Sequence, residues 1–335
     1  MSVSDIKKNT SLNDIKVAFI ADDIKNLNEF EIFHNATFSL MLAAQELNVK
    51  ILLTESNNLK IVNNKIIAKF DEVLLKREVG NHLKIKSSKE YSLDSLNVIF
   101  ARKDPPVNEN FITYTQMLSM ISSEVLIVNN PAGILRANEK LYIFNVPDLI
   151  PITLVTSKKE ELLGFLREHK EAVIKPLFNK GGEGVFYLNT NSINVNSIIE
   201  ESLASNHTVV IQKYLSEVLN GDKRIIILNG IPIGGILRIP KVGEFRANIH
   251  RGASVKSYEL SKKDYEICEK LKPYLLRDGL YFVAVDIIGD CLIEINVTCP
   301  AGIKEIEDLT NKKIAKEIVQ WVLETVQARL PHLCS

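Results

Sequence analysis

Short apolar runs separated by a segment of helical period organise the first part of the chain. Residues 17–21 (VAFIA) and 50–54 (KILLT) read as buried strands, and Phe38, Met41, Leu42 and Leu47 recur between them at helical spacing. Strand, helix, strand is the rhythm of a parallel sheet. Residues 97–101 (NVIFA) and 124–131 (EVLIVNNP) add two strands around a helix near 110–121. The pattern then changes. Residues 172–177, 185–188, 208–215, 223–228 and 233–239 read as strands joined mostly by short Gly/Asn loops, which favours antiparallel hairpins; Asn229-Gly230 is a good hairpin turn. Helices are expected at 158–168, 262–277 and 312–328. The pattern predicts a parallel α/β domain followed by an antiparallel-rich α+β region, behind a polar tail over residues 1–15.

Composition narrows the classes of partner. The 335 residues, at about 150 per domain, suggest two to three domains. Apolar residues make up 46% and charged residues 24%, an ordinary globular balance. With 41 Lys and Arg against 41 Asp and Glu the net charge is zero, which argues against nucleic acid or an anionic membrane as main partner. A small anionic ligand needs only a few placed cations. No apolar run is long enough to span a bilayer, and the first residues carry no apolar signal core, so a soluble cytoplasmic protein is expected. Cys268, Cys291, Cys299 and Cys334 form no C-x-x-C pair and read as reduced thiols.

Three constellations carry candidate chemistry. In VIKPLFNKGGEGVFYL, Lys175 sits inside an apolar strand and is followed by Gly181, Gly182 and Gly184. A buried lysine needs an anion, and glycines let backbone N–H groups approach phosphate oxygens. Because the loop joins strand to strand, it is not a loop of the helix-opening Gly-Lys-Ser/Thr type. The alternative is a flexible hairpin with a snorkelling lysine. In FVAVDIIGDCLIEINVTCP, Asp286, Glu294 and Asn296 are oxygen donors within two apolar strands. A three-residue turn over 289–291 places Asp286 opposite Glu294 with Asn296 on the same face, a hard-cation site suited to Mg²⁺; a two-residue turn scatters them. The alternative is one acid paired to a buried arginine and the others solvated on an exposed face. The third constellation is Asp222-Lys223-Arg224 opening one strand with Arg238 near the end of the next, where hairpin pairing brings the arginines together. Arg102 to Pro106 (RKDPP) ends a strand where open α/β sheets bind ligands, and Asn138 to Lys140 (NEK) lies in a helical pattern. No G-x-G-x-x-G follows the first strand, which disfavours a dinucleotide site.

Read in order, RKDPP, NEK, IKPL with its glycine loop, QKYL, GDKR, RIP, VDIIGD and EINVT make the chain similar to the prokaryotic glutathione synthetases of the ATP-grasp superfamily. The resemblance spans about residues 15–328. It implies an N-terminal α/β domain (16–131), a central ATP-grasp lobe (132–214) and a C-terminal lobe (215–335) with a mobile loop at 241–257. It also implies ligation of γ-glutamylcysteine and glycine through an acyl-phosphate, with ATP as co-substrate, Mg²⁺ (Mn²⁺ as a substitute) and a homo-oligomer. Lys140 and Lys175 would hold phosphates under a lid of Lys180, Gly181, Gly182 and Gly184. Gln212, Lys213, Tyr214 and Leu215 would form the adenine hinge, and Asp222 would meet the ribose. Asp286, Glu294 and Asn296 would carry the metal, and Arg224 and Arg238 would stabilise the transferring phosphoryl group. Arg102, Asp104, Arg246, Cys299 and Glu305 are the substrate-side candidates. Departures from the family cluster there: a longer 25–37 segment (KNLNEFEIFHNAT), Cys299-Pro300-Ala301 in place of Ser-Pro-Thr, and His250-Arg251 within the mobile loop. His250 reads as a surface or substrate-contact group, and Cys299 as a packing residue without a basic partner. The alternatives are another ATP-grasp carboxylate–amine ligase or a nucleotide binder without turnover.

Overall fold

A computed structural model describes residues 15–204 and 207–329; residues 1–14 of the expected tail, and Cys334, lie outside the described residues. Ile15 does not belong to a frayed tail. It is 1% exposed, inside the core that leads into the first strand.

The first part contains β1 (Val17–Ile20), α1 (Glu29–His34), α2 (Ala36–Glu46), β2 (Ile51–Thr54), β3 (Lys60–Val62), β4 (Lys65–Leu75), β5 (Leu83–Ser92), β6 (Val98–Ala101), α3 (Glu109–Ser119) and β7 (Leu126–Val128). Strands β2, β1, β6 and β7 pair in parallel as the strand–helix rhythm requires. A hairpin that the apolar pattern did not signal, β4 with β5, extends this sheet antiparallel beyond β2. Helix α1 is an element of the long 25–37 segment. Asn28 accepts from the Glu31 N–H while the Glu31 carboxylate accepts from the Asn28 N–H, and Asn35 then caps α2, so two polar caps stop one helix and start the next within a few residues.

Next come α4 (Pro131–Arg136), β8 (Thr153–Thr156), α5 (Lys159–His169), β9 (Glu171–Pro176), β10 (Phe186–Asn189), α6 (Val195–Ser202) and β11 (Val209–Lys213). Here β10, β9, β11 and β8 form one antiparallel sheet with its own core under α5 and α6. The NEK segment is a turn rather than helix: the Asn138 carbonyl side chain accepts from the Lys140 and Leu141 N–H groups directly after α4.

The last part holds β12 (Asp222–Leu228), β13 (Ile231–Ile239), β14 (Ser254–Ser257), α7 (Lys262–Arg277), β15 (Phe282–Ile288), β16 (Cys291–Asn296), α8 (Ile303–Leu309) and α9 (Ile314–Arg329). The sheet order is β14-β13-β12-β15-β16, antiparallel throughout. Strand alternation divides its residues. Ile225, Ile227, Val283, Val285 and Ile287 pack in one cluster with Ile267 and Leu271 of α7, whereas Ile226, Leu228, Phe282 and Ala284 join a second core with α2, α8 and α9. That second core also contains Val17, Phe19 and Phe38, so the first and last sheets share one apolar interior. Asn129 stitches them further: its amide donates to the Phe282 and Val297 carbonyls and its oxygen accepts from the Phe282 N–H.

Candidate active site

Charged residues occupy one end of the same sheet face. Asp222, Arg224, Arg238 and Asp286 fall on it by register, with Asp222 opposite Arg238 and Arg224 opposite Asp286. The acidic pair arises differently from the expectation. Gly289-Asp290 is a two-residue turn that sets Ile288 opposite Cys291, and a bulge at Ile293 then slips the ladder by one residue. Asp286 consequently opposes Glu294, and Asn296 lies diagonally on the same face. Of the two turns the two-residue one forms, and the bulge restores the convergence that this turn alone would scatter.

These residues line a cavity of about 950 Å³ between the sheets. Lys140, Lys175, Lys180, Gly181, Gly182, Gln212, Lys213, Tyr214, Leu215, Arg246, Arg102, Asp104, Cys299 and Glu305 line it as well. Gly184 does not; a Cβ there would meet the Pro176 ring at 3.0 Å, which places this glycine against the base of its own loop.

Arg224 grips Asp286 with two hydrogen bonds, Nε to Oδ1 at 2.8 Å and Nη2 to Oδ2 at 2.7 Å. Arg238 donates to Asp222 at 2.5 Å and approaches Asp286 Oδ2 at 3.0 Å. The reading of an acid paired to a buried arginine therefore holds for Asp286, and the arginines meet carboxylates of neighbouring strands in the same sheet rather than a vacant anion site. Burial opposes ionisation of Asp286, but the two guanidinium groups outweigh it and hold its carboxyl below the usual range. Burial pushes Asp222 up to about 7 against the pull of Arg238, and the nearby Asp286 adds to the rise. Asp222 Oδ1 and Arg238 Nε are buried without a protein partner, so this cluster retains an acceptor and a donor.

Lys140 spans the cavity wall, 3.1 Å from Glu294 Oε1 and donating to the Asn179 carbonyl at 2.9 Å. Lys175 donates to Gln212 Oε1 at 2.7 Å; burial lowers its pKa, Glu294 counteracts this and Lys140 reinforces it. The snorkelling alternative fails because the ammonium reaches a buried amide inside the cavity, not bulk water. In the loop, Gly181, Gly182 and Gly184 have φ of 64°, 72° and 69°, the left-handed region that glycine enters without strain. Arg246 and Arg251 donate to the Gly182 and Gly181 carbonyls, and Lys180 pairs with Asp104 at 2.5 Å. Arg246 is also paired with Glu244 at 2.5 Å, so its guanidinium braces the loop. The side chain of His250 lies outside the described residues.

As a cation site, Glu294 and Asn296 fit: both are oxygen donors on one face, and the Asn296 amide donates to Ala284 O and Asp286 Oδ2, which leaves its own carbonyl oxygen as a donor to a metal. Asp286 fits by exchanging part of its arginine contact. Cys268, Cys291 and Cys299 are free thiols. Cys299 is packed against the Arg102 carbonyl at 3.6 Å and burial raises its thiol pKa strongly, which makes it a packing residue in character.

Three features escaped sequence reasoning. Glu139, between two residues of interest, turns inward and accepts from the Val297 N–H, the Thr298 N–H and the Thr298 hydroxyl, anchoring the end of β16. Arg102 is 3% exposed and donates to Thr37 Oγ1 and the Pro300 carbonyl, tying the first sheet to the segment after β16. His34, on α1, meets Glu305 at 3.0 Å across the far end of the cavity. Only Glu139 had a local signal, its place beside Lys140; Arg102 reaches residues 65 and 198 positions away, and His34 one 271 positions away.

The family model for the prokaryotic glutathione synthetase N-terminal domain matches residues 15–135, and the model for the ATP-grasp domain of the same family matches residues 139–311. The chain is 37% identical over 317 residues to a glutathione synthetase of Thermosynechococcus vestitus, covering 91% of this chain and 99% of the relative. It is 39% identical to a glutathione synthetase of Coxiella burnetii, with 94% and 98% covered. Among solved structures it resembles the D-cycloserine synthetase DcsG, with a TM-score of 0.65 at 13% identity over 92% of this chain and 99% of that one. It also resembles the macrocyclase MdnC bound with its precursor peptide MdnA, with a TM-score of 0.61 at 15% identity over 92% and 99%. Those two likenesses extend to the ATP-grasp fold, while the domain matches and the identities above reach the family: the chain belongs to the prokaryotic glutathione synthetases.

Proposed function

We propose that this protein is an ATP-dependent peptide ligase that joins γ-glutamylcysteine to glycine, giving glutathione, ADP and phosphate. The observation that carries this reading is the convergence of Lys140, Lys175, Arg224, Arg238 and the Asp286–Glu294–Asn296 face in one cavity with the glycine loop. A carboxylate is a poor electrophile. Transfer of the γ-phosphoryl group makes the cysteinyl carboxylate an acyl-phosphate, whose phosphate leaves when the glycine amine attacks. The charge on the phosphoryl oxygens needs cations already in place in a site that excludes water.

In this reading Lys140 and Lys175 hold the phosphates, and Lys180, Gly181 and Gly182 close over them. Gly184 serves the turn of that loop. Gln212, Lys213, Tyr214 and Leu215 edge the adenine. Asp222 meets the ribose through its unpartnered Oδ1 while Oδ2 stays bonded to Arg238. Arg224 and Arg238 neutralise the transferring group. Glu294, Asn296 and Asp286 hold a divalent cation, Mg²⁺ with Mn²⁺ as a substitute, which when bound shields the phosphate oxygens. Arg102, Asp104, Arg246, Cys299 and Glu305 line the substrate end. The divisions at 16–131, 132–214 and 215–335, a homo-oligomer and a cytoplasmic setting belong to the same reading; no helix among the described residues is long and apolar enough to cross a membrane.

The test is ADP release with ATP, Mg²⁺ and γ-glutamylcysteine across a panel of amino acids. Glycine should stand far above the others. A different preferred amine would favour a ligase with a shifted acceptor, a reading that Cys299 and Ala301 at the cavity wall keep open. Glu294→Gln should remove turnover with the fold intact; unchanged ATP binding without any turnover in the native chain would identify a nucleotide binder.

A further inference from the structure

Resting on this ligase reading, we infer that Glu305, held by His34 of helix α1, is the acceptor for the free ammonium group of the donor substrate. Glu305 opens α8 and is 6% exposed, yet it lines the cavity. Its Oε1 meets His34 Nδ1 at 3.0 Å, and its Oε2 is buried with no protein partner. A buried carboxylate oxygen without a donor costs free energy unless a ligand satisfies it.

The other acids around the cavity are committed or wet. Asp22, Asp104 and Glu294 face lysines, Asp286 faces two arginines, Glu31 and Glu139 accept from backbone N–H groups, and Asp23 and Glu183 are exposed. Asp222 also has a buried oxygen without a protein partner, but its carboxylate is neutralised by Arg238. Among the described residues, Glu305 is opposed only by the partly exposed His34 ring. At the same end, Arg102 is buried and bonded to the Pro300 carbonyl, close in the chain to Glu305. A buried guanidinium and a buried carboxylate are the complement of an α-amino acid head, which bears one carboxylate and one ammonium. The γ-linked glutamyl residue of the donor presents such a free head; an α-linked one would not.

The role of His34 is positioning. It reaches Glu305 from α1, the element that the longer 25–37 segment builds, and stacks on Phe30 at 4.3 Å between ring centroids. The His34 contact engages Oε1 and leaves Oε2 as the oxygen for a ligand to satisfy. The helix α1 therefore acts as a specificity element for the donor head, remote in sequence from every ATP residue.

The experiment compares γ-glutamylcysteine with glutarylcysteine, which lacks only the ammonium group, by ADP release at saturating ATP and glycine and by calorimetric titration of the full chain. The native protein should prefer γ-glutamylcysteine at least about tenfold, the scale of one charge-assisted hydrogen bond. Glu305→Gln should raise the KM for γ-glutamylcysteine about tenfold or more, leave glutarylcysteine within about threefold, and spare the KM for ATP. His34→Ala should move the same selectivity less, and His34→Asn, whose amide nitrogen replaces Nδ1, should restore it. A Glu305→Gln protein that weakens both donors equally, or neither, overturns the proposal, as does a native protein indifferent to the ammonium. Failure of the ligase reading looks different: no ADP release with either donor, while the titration still reports whether Glu305 selects for the ammonium.

Discussion

Asp286→Asn is the most informative single change, because Asp286 is the point where two arginines and the Glu294–Asn296 face meet. The side chain is 3% exposed and accepts from Arg224 at 2.8 and 2.7 Å, with Arg238 at 3.0 Å. Asparagine keeps the size but removes one negative charge, leaving two buried guanidinium groups opposed chiefly by Asp222. Removing one partner of a buried ion pair costs roughly 3–5 kcal/mol, against a total stability of about 5–15 kcal/mol. With a urea slope of about 3 kcal/mol/M the unfolding midpoint should fall by roughly 1–2 M. Trp321, the single tryptophan, stacks near Tyr281 on the shared core and reports that unfolding by fluorescence. The pH dependence has a fixed sign. A carboxyl held below its usual range contributes stability that is present above the unfolded value of 3.8 and is lost as pH falls through the lower folded value. The native protein should therefore lose stability steeply below about pH 4 and the variant less steeply. Turnover should fall by at least about a hundredfold, the scale of losing one preorganised electrostatic element. A variant whose urea midpoint moves less than about 0.2 M and that keeps full activity would show that the arginines need no internal counter-ion, and the account of this cluster would be wrong.

Gly133→Ala should destabilise by at least about 2 kcal/mol, because the added methyl would sit 1.9 Å from the Asp278 carbonyl oxygen and backbone cannot swing aside; an unchanged urea midpoint would contradict the close packing of α4. Lys180→Ala should change stability by less than about 0.5 kcal/mol, since the Lys180–Asp104 pair is about half exposed on both sides, while the KM for ATP rises. Should the variant instead melt like a core mutant, that pair would be a structural strut. Cys299 should react slowly with iodoacetamide at pH 8 in the folded protein, its thiol being half-buried at the cavity wall and its pKa raised; peptide mapping that finds it alkylated as fast as a small free thiol would refute this.

Much of the architecture was legible because apolar periodicity is a direct imprint of burial. The helix expected at 262–277 coincides with α7, and the Asn229-Gly230 turn joins β12 to β13. What escaped notice is polar. Strand β5 (LKIKSSKEYS) is exposed along most of its length, so no alternation marks it. Its partner β4 has Phe70 and Asp71 buried in succession, the acid held by Lys25 and Ser88, which breaks the period of two. Helix α1 rests on caps and on a contact to Glu305 rather than on an apolar stripe.

The candidate site was legible in its residue types and not in its geometry, and the metal face shows why. Sequence spacing places Asp286 and Glu294 on one face or on opposite faces according to a single residue in the turn or ladder. The turn alone, two residues long, would have opposed Asp286 to Ile293. The slip at Ile293 reverses that outcome, and Ile293 itself lines the cavity. No local preference of isoleucine announces a bulge. What favours it is the other end of the pairing: Glu294 reaches Lys140, and the Ile295 N–H donates to the Glu139 carbonyl, so β16 is held from outside the hairpin by the NEK turn. The register of β16 is thus held by a segment about 150 residues earlier in the chain. The cations and the acids of this site are therefore one cooperative unit: moving the turn that carries Lys140 would move the ladder that carries Glu294.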